Sequence, residues 1–445
     1  MPVNSRLRRL TTAALPALAA VALTACNNAA YPNSIFHDHT EFNREVGTLF
    51  KILIYLGTAV FIFVEALLLY VIFRYRRRSE SDRPEHVHGN TTLEILWTAI
   101  PALILAFIAV PTVRTIFKTQ AKAQPQALQV QVIGHQWWWE FRYPQYKVTT
   151  AGELYLPVGR TVNFSLKTQD VLHSFWVPQL GGKRDLITNH ENFLWFTPDS
   201  IGVAALNGMC VEYCGASHAN MRFKAFTVTP AEFEQWAVHQ ASPAVFGAVA
   251  PAAPAGAPAT GAAPTTAPTV ATAGTTKKGA AAAPAVPAQV AVDTTRATAT
   301  VQQAGFVEYP REKLPAWTVP KTPTPAGLTF NTALVGNADR GLKLLSTGQG
   351  GCVGCHMING NPVMMGVIGP NLTHIATRTT IAAGLYPNDT KHLALWIKNA
   401  RAMKPGVIMP TLGKGQFDPV TKAVVPMGLT DEQIADIVAY LQALK

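Results

Sequence analysis

Two apolar runs constrain this chain before anything else does. They extend from about Leu49 to Phe73 and from about Leu93 to Val113. Each reaches the roughly 20 residues a helix needs to cross a hydrocarbon layer about 30 Å thick. In lipid every backbone N–H and C=O must be satisfied within the segment or a closed barrel, so runs of this length fold as spanning helices. Arg74, Arg76, Arg77, Arg78 and Arg83 fall in the loop between them, which puts that loop on the cytoplasmic side. Everything after the second run then faces outward.

The N-terminus is consistent with this. Arg6, Arg8 and Arg9 precede an apolar stretch that closes on Leu23-Thr-Ala-Cys26, which reads as an export signal and not as a third span. The ending resembles a bacterial lipoprotein cleavage box, which implies lipidation at Cys26; the other reading is a signal cut elsewhere with Cys26 merely nearby. A length of 445 residues argues for about three domains. A formal charge of +11 could suit a nucleic-acid binder, but with only 14% charged residues and arginines clustered beside apolar spans, topology explains the excess. No nucleic-acid partner is expected.

From about Gln126 to Thr229, segments such as Leu128-Gln-Val-Gln-Val-Ile and Val162-Asn-Phe-Ser-Leu alternate apolar and polar residues between Gly/Pro turns, the mark of half-buried strands in a sandwich or barrel. From Pro251 to Val290, 34 of 40 residues are Ala, Pro, Gly or Thr; this cannot build a core and reads as a tether.

The five cysteines, Cys26, Cys210, Cys214, Cys352 and Cys355, each fall inside a motif. Cys210, Cys214, His218 and Met221 lie within twelve residues. A Cys-x-x-x-Cys pair in an exported domain is commonly a disulfide, and structural zinc takes Cys/His sets without Met. Thiolate, imidazole and thioether together are the soft set that selects copper. Farther on, Cys352-Val-Gly-Cys355-His356 is the attachment motif of a c-type haem. Helical patterns flank it at Asp339–Ser346 and Leu429–Leu444, with Ile434, Ile437, Val438 and Leu441 on one face.

Cys210-x-Glu-x-Cys-x-x-x-His-x-x-Met221, with Val171-Leu-His173-Ser upstream, resembles the dinuclear copper (CuA) site of cytochrome c oxidase subunit II. The resemblance implies two copper ions held by His173, Cys210, Cys214, His218, Met221 and the backbone carbonyl of Glu212, on a cupredoxin-like Greek-key β-barrel. Asp185 and Glu212 match positions of a magnesium site at the interface with the catalytic subunit. The chain departs just after, with Leu186-Ile-Thr-Asn-His-Glu191 where relatives often have Ile-Pro-Gly-Arg. In Trp137-Trp-Trp139 at least one ring must be core, and the resemblance makes Trp137 the point through which electrons reach the copper. Glu94-Ile-Leu-Trp97-Thr-Ala-Ile-Pro101 resembles the subunit II segment whose Glu sits at the mouth of a proton-uptake channel; a carboxylate near a helix N-terminus is also favourable in itself. Glu65, within the first span, is costly unless it faces protein or water.

The segment from about Leu328 resembles a class I cytochrome c, with Met409, in Lys404-Pro-Gly-Val-Ile-Met409-Pro, as the second iron ligand and Met403 as the alternative. Residues 126–229 hold eight Lys/Arg against seven Asp/Glu, no acidic excess to steer a basic soluble donor. The chain is expected to bring its own donor.

The expected architecture is therefore multidomain: a signal peptide (1–25), a two-helix transmembrane hairpin (26–120), a cupredoxin-like CuA domain (121–232), a linker (233–327) and an all-α class I cytochrome c domain (328–445). The resemblance is to subunit II of a caa3-type cytochrome c oxidase in a bacterial cytoplasmic membrane. It implies subunits I and III and a respiratory-chain donor as partners. It also implies electron flow from haem c through the copper pair to the oxygen-reducing centre of subunit I, coupled to proton pumping. The alternatives are the subunit of a copper-containing nitric oxide reductase, or a membrane-tethered carrier without a fixed catalytic partner.

Overall fold

The computed structural model describes residues 33–79, 88–121, 124–202, 205–244 and 321–445. The signal segment with Cys26, the loop residue Arg83 and most of the linker lie outside these residues.

The two apolar runs form α1 (Glu41–Arg74) and α2 (Thr91–Gln120). Side chains start both: Thr40 accepts the Asn43 N–H and Asn90 accepts the Leu93 N–H. Their apolar windows have mean hydropathies of 2.5 and 2.3, and none of either window is buried within the chain. Such surfaces require lipid or another subunit. α1 starts two turns before its apolar run because its water-facing end belongs to the next domain. There Phe42 joins the β-domain core, Thr40 donates to the Leu180 carbonyl at 2.5 Å, and Arg44 pairs with Asp199. Lys118, at the end of α2, reaches Glu41 and Glu45 at 2.5 and 2.7 Å, which closes the hairpin at this same end.

Ten strands follow: β1 (Leu128–His135), β2 (Trp138–Tyr143), β3 (Val148–Ala151), β4 (Glu153–Pro157), β5 (Val162–Thr168), β6 (His173–Trp176), β7 (Arg184–Leu186), β8 (Asn192–Phe196), β9 (Leu206–Cys210) and β10 (Arg222–Val228). They build two five-stranded sheets, ordered β3-β2-β1-β5-β8 and β4-β10-β9-β6-β7. Non-consecutive neighbours, including the parallel pairs β1–β5 and β4–β10, show the chain crossing between sheets as a cupredoxin-like fold requires. The period-two pattern puts Phe141, Phe164, Phe175, Phe196 and Phe223 inside, each at most 1% exposed. α3 (Pro230–Ala241) opens with a Thr229/Glu232 capping box and closes one end of the sandwich by stacking Trp236 on Tyr155 at 4.6 Å.

The C-terminal domain is built on α4 (Ala338–Ser346), α5 (Thr390–Met403) and α6 (Asp431–Ala443). The apolar face read from the sequence is the buried one: Ile434, Ile437, Val438 and Leu441 are at most 4% exposed. α4 crosses α6 at Gly341, where a Cβ would lie 2.1 Å from the Asp436 carbonyl oxygen. Asp436 then ties the crossing together, accepting from the Asn337 N–H and from two Arg340 nitrogens at 2.7–2.8 Å. Backbone cannot yield as a side chain can, so Gly341→Ala is expected to destabilise this domain by about 1–3 kcal/mol or more. The denaturant midpoint of its haem absorbance would show this, and an unchanged midpoint would refute the crossing.

Candidate copper and haem sites

The sandwich topology gathers the copper-type donors. His173 opens β6 and Cys210 ends β9, and these strands pair with Phe175 opposite Cys210. The chain then loops through Cys214 and His218 to Met221, where the Met221 carbonyl accepts the Cys210 N–H at 3.0 Å and closes the loop at its base. Cys210 Sγ lies 3.8 Å from His173 Nδ1, 3.2 Å from the Glu212 carbonyl oxygen and 3.8 Å from Cys214 Sγ. Cys214 Sγ lies 3.6 Å from His218 Nδ1 and 3.8 Å from Met221 Sδ. All six expected donors converge on one spot, and the two sulfurs are unbonded.

Electrostatics prepares the site. His173 Nε2–H donates to Asp170 at 2.8 Å, so Nδ1 is left to face the sulfurs, the usual carboxylate support of a metal-binding histidine. Burial alone would lower the His173 pKa, but Asp170 and Cys210 outweigh it and raise it. The pairing with Cys214, aided by His173, pulls the Cys210 pKa down, while the same pairing and burial push Cys214 up. Two buried thiols this close cannot both ionise unless cations lie between them. The donor set and its charge deficit fit copper ions.

In the C-terminal domain Cys352, Cys355, His356 and Met409 line one cavity together with Leu345, Ile375, Leu393 and Ile437. Met403 is instead packed in the core, 5% exposed. His356 Nδ1–H donates to the Pro370 carbonyl at 2.9 Å, leaving Nε2 for iron, and burial lowers the imidazole pKa, which keeps it neutral as a ligand must be. Two thiols, an imidazole and a thioether around an apolar slot fit a covalently attached haem.

Comparison with known proteins agrees with this pairing of sites. Residues 36–115 match the cytochrome c oxidase subunit II transmembrane domain, 147–228 its periplasmic domain, and 338–445 the cytochrome c family. The chain is 29% identical to cytochrome c oxidase subunit 2 of Alkalihalophilus pseudofirmus over 87% of its own length and 83% of that protein. It is 42% identical to the Bacillus subtilis protein over 38% of its length and 51% of that relative. Probable cytochrome c oxidase subunit 2 of Rickettsia bellii is 31% identical, with 78% of it covered and 43% of this chain. The chain belongs to the cytochrome c oxidase subunit II family. It is a membrane-anchored subunit II with a fused cytochrome c domain, a part of a terminal oxidase that associates with subunit I, and its two extramembrane domains are a copper and a haem domain.

In this subunit II the haem domain lies directly on the copper domain. Trp137, 8% exposed, lines the haem cavity and donates its indole N–H to the Cys214 carbonyl at 2.8 Å; Gln136 Nε2 donates to the same oxygen at 2.8 Å. Trp139 is the core member of the trio, at 0% exposure, 6.1 Å from the His173 ring. From the haem side, Lys404-Pro405-Gly406 closes over Trp137. Lys404 Nζ donates to the Trp137 carbonyl at 2.5 Å, and the Pro405 carbonyl accepts from Ser217 Oγ at 2.6 Å. At Gly406, with φ +82°, a Cβ would come within 2.6 Å of the indole. Only glycine suits both that backbone and that approach.

A second patch holds the domains beside this one. Glu153, 4% exposed, accepts the Thr379 N–H and hydroxyl at 2.6 and 2.7 Å. Burial raises its pKa against the pull of Thr379 and Arg378. The Arg222 N–H donates to the Ala383 carbonyl at 3.1 Å. Glu153, Lys404 and Gly406 carry no local signal in the sequence, because their partners lie hundreds of residues away. Asp170 did carry one, a carboxylate three residues before a ligand-type histidine.

The remaining expected residues sit apart. Glu94 is in the first turn of α2, at the opposite end of the hairpin from Lys118. Glu65 lies half-buried in the C-terminal half of α1. Asp185 on β7 pairs with Ser174 and is exposed. Among the described residues the cluster of metal-type His/Cys/Asp/Glu side chains is His173, Cys210 and Cys214, which does not include Asp185 or the Glu212 carboxylate.

Proposed function

We propose that this subunit relays electrons from its own haem c to a dinuclear CuA centre and on to subunit I. The observation that carries the reading is the placement of Trp137, which lines the haem cavity while hydrogen-bonded to the carbonyl of Cys214. When bound, the haem and the copper pair supply one-electron carriers that feed the oxygen-reducing centre of subunit I, a reaction coupled to proton pumping.

The chain's own residues divide the work. Cys352 and Cys355 attach the porphyrin, and His356 and Met409 hold its iron. His173, Cys210, Cys214, His218, Met221 and the Glu212 carbonyl hold two coppers, with Asp170 fixing the His173 ring. Donors packed this tightly limit rearrangement when charge changes, which suits electron transfer and not substrate binding. The Arg-rich loop at the cytoplasmic end of the hairpin and the copper and haem domains on the outer face follow from charge asymmetry. That orientation puts Glu94 at cytoplasmic depth as a proton-uptake group. Asp185 and the Glu212 carboxylate would share a magnesium ion with subunit I; subunit III and an upstream respiratory donor complete the assembly.

The exported portion, from about Lys118 to Lys445, is expected to contain two coppers per haem and to show a thiolate-to-copper absorption. Haem without copper, with Cys210 and Cys214 recovered as a disulfide from matured protein, would contradict the relay and leave a tethered cytochrome.

A further inference from the structure

Lys404 is 2% exposed, and among the described residues it forms no ion pair. Its ammonium is held by two carbonyls, those of Trp137 at 2.5 Å and Ala382 at 3.2 Å. Burying a charge without a counter-ion is costly, and burial pulls this lysine down to about 7 against the opposing influence of Cys214. A leucine or methionine would fill the space without that cost. The two bonds also have an unusual reach: Ala382 belongs to the haem domain, whereas Trp137 belongs to the copper domain. The same side chain lines the haem cavity and stands five residues before Met409.

We propose that Lys404 is a positioning residue for electron transfer, fixing the Trp137 indole between the Cys214 carbonyl and the Met409 loop. This rests on the haem-to-copper relay proposed above. Three restraints act on Trp137 from three directions: the ammonium on its carbonyl, the Cys214 carbonyl on its N–H, and the Gly406 backbone against its ring edge. Among the described residues Lys404 is the haem-domain group bonded to the Trp137 backbone; without it the ring is held by the Cys214 carbonyl and the Gly406 contact alone. The transfer it serves moves one electron and no proton, and no bond at Lys404 is made or broken. The second patch at Glu153 and Thr379 holds the domains together independently, so docking and positioning are separable.

The test uses the assembled oxidase carrying Lys404→Met, which keeps an unbranched side chain one atom shorter and removes both bonds. Three quantities are read: copper and haem spectra, the first-order haem-to-copper transfer rate, and hydrogen-exchange protection of the Thr379 amide. That amide is bonded across the domain seam to Glu153, away from Trp137 and from the Ala382 carbonyl that Lys404 binds. The expected result is intact spectra, retained protection and a transfer rate lowered about tenfold or more, within the up to hundredfold that a misplacement of about 1 Å can cost. An unchanged rate would overturn the proposal, and so would loss of protection in step with the rate, which would make Lys404 simple glue between the domains. Should Lys404→Met fail to assemble, Lys404→Leu, which also removes both bonds, is read by the same criteria. Absence of any haem-to-copper transfer in the unsubstituted oxidase would instead overturn the relay itself.

Discussion

Cys214→Ser is expected to empty the copper site and leave the haem in place. Cys214 is the hub of the cluster, with its sulfur within 3.8 Å of Cys210, His218 and Met221. A serine hydroxyl is a hard oxygen donor that stays protonated at neutral pH, the wrong partner for the soft ligands around it. One thiolate cannot bridge a metal pair in place of two. The haem cavity draws on Cys352, Cys355, His356 and Met409, none of which contacts the substituted atom. Loss of the thiolate-to-copper absorption and of oxygen uptake, with haem absorbance intact, is therefore the expected result. Retention of two coppers in the variant would refute the ligand assignment.

The second large effect is expected at Trp137. Trp137→Leu removes the N–H bonded to Cys214 and the ring packed on Gly406, and so breaks the direct contact between the two sites. Internal transfer should fall by about a hundredfold, as misplacement by an ångström can do, while each site keeps its spectrum. Trp137→Phe, which keeps a ring but loses the N–H, should fall in between. A Leu variant that transfers electrons at the unsubstituted rate would exclude Trp137 from the path. A variant that loses copper would show a structural role in the Cys214 loop.

The sequence carries the local chemistry of this chain well and its long-range seams poorly. The spans declare themselves because lipid permits so few solutions, yet α1 begins at Glu41 and not near Leu49. Its polar end is stabilised by contacts with Leu180 and Asp199 that hydropathy does not sense. The strands at Leu128 and Val162 follow from alternation, but their parallel pairing in register Leu128↔Val162 is a tertiary fact. The copper-type donors are legible because five of the six, Cys210, the Glu212 carbonyl, Cys214, His218 and Met221, share one loop; His173 is read from its Val171-Leu-His173-Ser resemblance, and it is the sheet that brings it beside Cys210. Met409 and Met403 differ in the structure by environment: one lines the cavity and the other packs in the core. The linker was legible only as a tether. The docking it allows depends on Glu153, Lys404 and Gly406, ordinary residues until the partner surface is present.

The most direct test of the relay is to reduce the haem of the assembled oxidase with a light pulse and follow the copper absorption. A preformed seam predicts a first-order transfer whose rate is independent of enzyme concentration and nearly insensitive to salt, since the contact is buried and not a surface encounter. Copper reduction that speeds up with protein concentration, or that collapses at high ionic strength, would contradict it.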